Sequence, residues 1–113
     1  MSKYKVVVSN TTIVNIATTL KDEGGRNNQY KFDLICTRMG ADDLKQRLDN
    51  GETTKEIMRS VTTNWRGQRL VLESDDKPAE FSDEAFEAML DIPHLATVLF
   101  NSYYTQQGAA AKN

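Results

Sequence analysis

The chain has 113 residues, of which 39% are hydrophobic and 27% charged, the size and balance of one folded domain that can bury a core of its own. Fourteen Lys and Arg against sixteen Asp and Glu leave a formal charge of −2, which argues against broad nucleic-acid binding, because phosphates ask for a basic footprint. A lone cysteine excludes an intramolecular disulfide and fits a reducing cytoplasm, and the apolar patch Val6 to Val8 is too short for a signal-peptide core or a membrane span.

Taken in chain order, the first third reads as β structure. Tyr4 to Val8 is dense in β-branched residues. Ile13 to Leu20 sets Val14, Ile16 and Leu20 on one face and Asn15, Ala17 and Thr19 on the other. From Tyr30 to Thr37 the residues Tyr30, Phe32, Leu34 and Cys36 share a face. Between these runs lies Asp22 to Asn28, whose Gly24-Gly25 can take up positive φ. The pattern predicts an antiparallel hairpin, with Tyr4 to Val8 as the third strand that makes the sheet self-supporting.

The period then changes. Leu44 and Leu48 fall four apart on a helix over Asp42 to Leu48, stopped by Asn50-Gly51. Thr53 or Thr54 can cap a second helix, on which Ile57, Met58, Val61 and Trp65 form one apolar stripe closed by Trp65. Leu70 to Leu72 and the charged Glu73 to Pro78 read as a surface loop or short hairpin. Ser82 begins a third helix, with Asp83 and Glu84 at its positive end and Phe86, Met89 and Leu90 on its buried side. Pro93 ends it and opens a fourth, striped by Leu95, Val98, Leu99 and Ser102 or Tyr103, with Phe100 and Tyr104 off the stripe. The expectation is an α+β chain: an N-terminal antiparallel β-hairpin or three-stranded sheet, then about four α-helices. Residues 1–107 form its single domain and 108–113 a disordered tail.

The same residues offer little chemistry. His94, beside Pro93, has no Ser or Cys nucleophile pattern near it and reads as a surface or helix-terminus side chain. Cys36 sits on the apolar face of a strand and reads as a small buried hydrophobe. Asp42-Asp43 and Asp75-Asp76 lack the alternating oxygen ligands of a calcium loop, and Gly24-Gly25 lacks the lysine and spacing of a phosphate loop. The expectation is a non-catalytic protein without cofactor or metal. What remains is surface for partners, centred on Tyr103 and Tyr104 near the chain end, with Phe100 and Trp65 as further members, because aromatic side chains are enriched where proteins bind one another.

From about Phe32 to Tyr104 the order of features resembles the tail assembly chaperones of long-tailed bacteriophages. A strand ends in a basic residue, Phe32 to Arg38. Val61 to Gly67 closes on Trp65 and a trailing glycine. An acidic turn leads into Pro78-Ala79-Glu80-Phe81-Ser82, then come Phe86, Met89, Leu90, Pro93 and the pair Tyr103-Tyr104. In the closest pattern the proline stands beside the phenylalanine, whereas Ala79 and Glu80 intervene here, and the N-terminal strands do not enter the match. The resemblance implies a protein of the host cytoplasm, absent from the mature virion, that binds the tape measure protein and helps recruit tail tube protein. It also implies a longer form made by a ribosomal frameshift, for which Ala111-Lys112-Asn113 fits a slippery adenine run. Self-association is left open.

Two other readings carry their own discriminating observations. A structural tail, terminator or head–tail connector protein would be equally small and α+β, and would persist in finished particles as a closed ring. A small nucleic-acid-binding regulator would need a recognition helix, and the negative charge opposes it.

Overall fold

The computed structural model describes residues 10–106. Strand β1 (Thr11–Lys21) and strand β2 (Asn27–Thr37) pair antiparallel in unbroken register from Thr11↔Thr37 to Lys21↔Asn27. The turn between them is built by Asp22, whose carboxylate accepts from the Gly24 and Arg26 amides at 2.9 Å, and by Gly25 at φ +81°. The alternation read from the sequence holds: Thr12, Val14 and Ile16 of β1 and Phe32, Leu34 and Cys36 of β2 are buried, and the residues between them face outward.

The expected strand Tyr4 to Val8 lies outside the described residues. Among the described residues the third strand of the sheet is β3 (Thr62–Arg66), and the order is β1-β2-β3. This corrects the single helix drawn from the Ile57, Met58, Val61, Trp65 spacing, which stops four residues early. Helix α1 (Ala41–Asp49) is followed by α2 (Thr54–Val61), and at Thr62 the chain turns extended. Thr62 and Thr63 are β-branched, and the open edge of β2 from Asp33 to Cys36 offers them a ladder that a further helical turn would forfeit. Thr63 is the extra residue of a bulge, since Ile35 pairs with Asn64 and Cys36 with Thr62, and its hydroxyl donates to the Ile35 carbonyl at 3.0 Å.

The helix starts follow their caps. Thr53 and Glu56 exchange bonds in a full capping box at the head of α2. Ser82 accepts from the Ala85 amide at the head of α3 (Asp83–Leu90). Asn50 and Gly51, the latter at φ +84°, end α1 as expected. Helix α4 (Leu95–Gln106) is the last element of the described residues. The helices cover one face of the sheet. Ile57, Met58 and Val61 of α2, Phe86, Met89 and Leu90 of α3, and Leu95, Leu99 and Tyr103 of α4 join Val14, Ile16, Phe32 and Leu34 in one apolar core. Burying a large apolar side chain of this kind contributes about 1.5–3 kcal/mol.

Strand β3 pairs only with Asp33 to Cys36, so the hairpin from Ala17 to Lys31 projects past the third strand, and the long axis is 56 Å against 31 and 25 Å. The segment from Gly67 to Phe81 is folded back on itself by a tight turn, with Leu72 bridged to Pro78 and Glu73 to Lys77, and returns to Trp65 of β3 at Ala79 and Phe81. Among the described residues no helix is long and apolar enough to cross a membrane.

Candidate partner-binding surface

The four aromatic residues expected to face a partner do not lie together. Trp65 leaves β3 toward the core and is 7% exposed. Its indole N–H donates to the Ala79 carbonyl at 3.0 Å, and its ring meets Phe81 edge-on at 5.3 Å and Phe86 at 6.2 Å. The ring pins the 67–81 segment to the sheet. Gln68 does the same from within that segment. Almost fully buried, its amide donates to the Val71 and Ala79 carbonyls and accepts from the Leu70 and Val71 amides, so every polar atom is satisfied. Sequence reading passed over Gln68. The signal was a lone Gln between a turn glycine and an apolar run, which by itself does not distinguish an anchor from a solvated side chain.

Tyr103 is wholly buried, and its hydroxyl donates to the Thr37 carbonyl at 2.8 Å. Burial, reinforced by the neighbouring Cys36, pushes the phenol up to about 12. The expectation that Tyr103 offers itself to a partner therefore gives way to a structural role, because the helical stripe of Leu95 and Leu99 continues through position 103. Phe100 is 8% exposed and stacks on Tyr104, the ring centroids 6.0 Å apart at 22°. Tyr104 alone of the four stands out, at 59% exposure.

Tyr104 is one wall of a groove between α1 and α4, with a volume of about 400 Å³. Leu44 and Leu48 form the opposite wall, Leu48 being 40% exposed, and the Lys45–Asp49 ion pair at 3.3 Å stands on the rim. Leu44 and Leu48, four apart on one face of α1, divide in role, since only Leu44 reaches the core. The groove is thus apolar on both walls, charged at its edge and backed by the buried ring of Phe100.

The remaining reactive side chains are placed for structure. Cys36 is buried with Sγ 3.7 Å from Thr62 Oγ1, and burial raises its thiol to about 11. His94 is exposed at the head of α4 with φ +67°. Among the described residues no group of three His, Cys, Asp or Glu side chains could hold a metal ion. Compared with family models, curated proteins and solved structures, the chain matches none.

Proposed function

We propose that this chain is a non-catalytic assembly chaperone of a long-tailed phage, which holds a helical segment of the tape measure protein and helps recruit tail tube subunits around it. The observation that carries the reading is the α1–α4 groove, where Leu48 and Tyr104 stand exposed on opposite walls beneath a charged rim. A groove with apolar walls and a polar edge suits the apolar face of an amphipathic helix. The identity of the partner rests on the resemblance between Phe32 and Tyr104. The buried thiol of Cys36, with its proton tightly held, supports a binding role over nucleophilic chemistry.

Co-expression with the tape measure protein, followed by solubility and pull-down, tests this. The partner should become soluble only with this chain and co-purify with it, and Leu48→Asp with Tyr104→Asp should abolish capture without lowering the melting temperature. If solubility is unchanged and the chain is found in finished particles, a structural tail or connector protein replaces the chaperone.

A further inference from the structure

Three depressions run into one another through the lining residues they share. The first, about 380 Å³, is lined by Tyr30, Lys31 and Arg69. It shares Gly67 and Arg69 with the second, about 670 Å³, which has Trp65 and Phe81 in its wall. The second shares Ala79, Glu80 and Phe81 with the third, about 470 Å³, which reaches Leu72, Glu73 and Glu84. Together they make one trough with aromatic and aliphatic side chains along its length, Lys31 at one end, Glu73 and Glu84 at the other, and Arg69 and Glu80 on either half of its middle.

These charges are not used internally. Lys31 and Arg69 on the cationic half, and Glu73, Glu80 and Glu84 on the anionic half, enter no ion pair among the described residues. The asymmetry extends beyond the trough, since Lys77 is the only cation between Glu73 and Asp91. Leu72 is 46% exposed at the acidic end, an apolar side chain left facing solvent beside the carboxylates. A surface whose halves are complementary to each other fits a two-fold axis through its middle, which lays the cationic half of one chain on the anionic half of the next, twice over.

We propose that this trough is a self-complementary interface whose partner is a second copy of this chain, joined as a two-fold dimer by Lys31 and Arg69 of each copy against Glu73, Glu80 and Glu84 of the other. The apolar strip of Tyr30, Phe81 and Leu72 is covered in the dimer. The interface shares no residue with the α1–α4 groove and does not rest on the chaperone reading.

Sedimentation equilibrium of the purified chain tests it, in the absence of any tape measure protein, so that the two readings fail separately. At low salt the mass should be twice the 12.8 kDa of one chain, and salt near physiological strength or above should weaken association about tenfold by screening the paired halves. Lys31→Glu with Arg69→Glu makes both halves acidic, and Glu73→Lys with Glu80→Lys makes both halves basic. Each of these exposed double variants should keep its circular dichroism and sediment as a monomer, and the two mixed in equal amounts should recover the dimer mass. A monomeric wild type at low salt, a mass that climbs past the dimer, variants that dimerise alone, or folded variants that fail to associate when mixed would each overturn the proposal.

Discussion

The Tyr103 hydroxyl and the Thr37 carbonyl, 66 residues apart in sequence, meet at 2.8 Å and tie the last turns of α4 to the end of β2. The Tyr103 ring is wholly buried and Tyr104 is exposed, so the two neighbouring tyrosines part company in their consequences. Tyr103→Phe should cost about 1–2 kcal/mol by leaving the Thr37 carbonyl without its donor, and Tyr103→Ala about 3–5 kcal/mol through the cavity it opens. Tyr104→Ala should stay within about 0.5 kcal/mol. Urea unfolding of the three variants checks this, and equal losses at 103 and 104 would contradict the packing.

Gln68 anchors the 67–81 segment through four hydrogen bonds made by one buried amide. Gln68→Leu fills similar space but strands the Leu70 and Val71 amides, whereas the Val71 carbonyl keeps the Ala79 amide and the Ala79 carbonyl keeps the Trp65 indole. A loss of about 2–3 kcal/mol is expected, together with faster amide exchange at Leu70 and Val71. Unchanged exchange at those two amides would show that the segment is held by Trp65 and Phe81 alone.

Where a structural decision was local, the sequence displayed it. The hairpin alternation, the Gly25 turn, the Thr53 and Ser82 caps and the Asn50-Gly51 stop each follow from a residue and its near neighbours. The third strand was hidden because Trp65 stands eight residues after Ile57 and satisfies a helical stripe. What overrides that period is pairing with β2, some thirty residues upstream, and no spacing within 54–66 records it. The partner surface was half legible for a related reason. Aromatic content marked Phe100, Tyr103 and Tyr104, but consecutive helical positions point about 100° apart, and only packing decides that 103 faces the core while 104 faces the groove.

The pH profile should be asymmetric. The carboxyls of Asp22, Glu56 and Glu87 are held below their ordinary range, chiefly by the Arg26 amide, the Thr53 amide and the Arg59 guanidinium respectively. A depressed folded value means stability that is present above the ordinary carboxyl range and lost as pH falls through the folded values. All three groups are at the surface, so this acid limb should be shallow. On the alkaline side Cys36 is raised from 9.0 to about 11 and Tyr103 from 10.0 to about 12. The unfolded chain therefore releases these protons first, and stability falls as pH climbs from 9 toward 12. Tyr103→Phe and Cys36→Ala should each flatten that limb despite a lower plateau. Urea midpoints between about pH 6 and 11 that fall as steeply in the variants as in the wild type would refute the assignment.

The outer edge of β1 is bracketed by the end of α4. Gln106 Oε1 accepts from the Asn15 amide at 2.9 Å and Gln106 Nε2 donates to the Asn15 carbonyl at 3.0 Å, so one side-chain amide stands in for a neighbouring strand at this point of the sheet edge. Both partners are solvent-exposed, which limits the effect of Gln106→Ala to about 1 kcal/mol or less, read locally as faster exchange of the Asn15 amide. Gln106→Glu separates the two halves of the bracket. Its carboxylate still accepts from the Asn15 amide but meets the Asn15 carbonyl with negative charge, so its folded pKa should rise above the ordinary glutamate value. A raised folded value gives stability that is present below the unfolded pKa and lost as pH rises through the folded one. Asn15 protection in this variant should accordingly be near wild type in acid and fall below that of Gln106→Ala at neutral pH. A glutamate variant that protects Asn15 equally well at both pH values would mean that the donor half of the bracket contributes nothing, and that the edge is held by the acceptor alone.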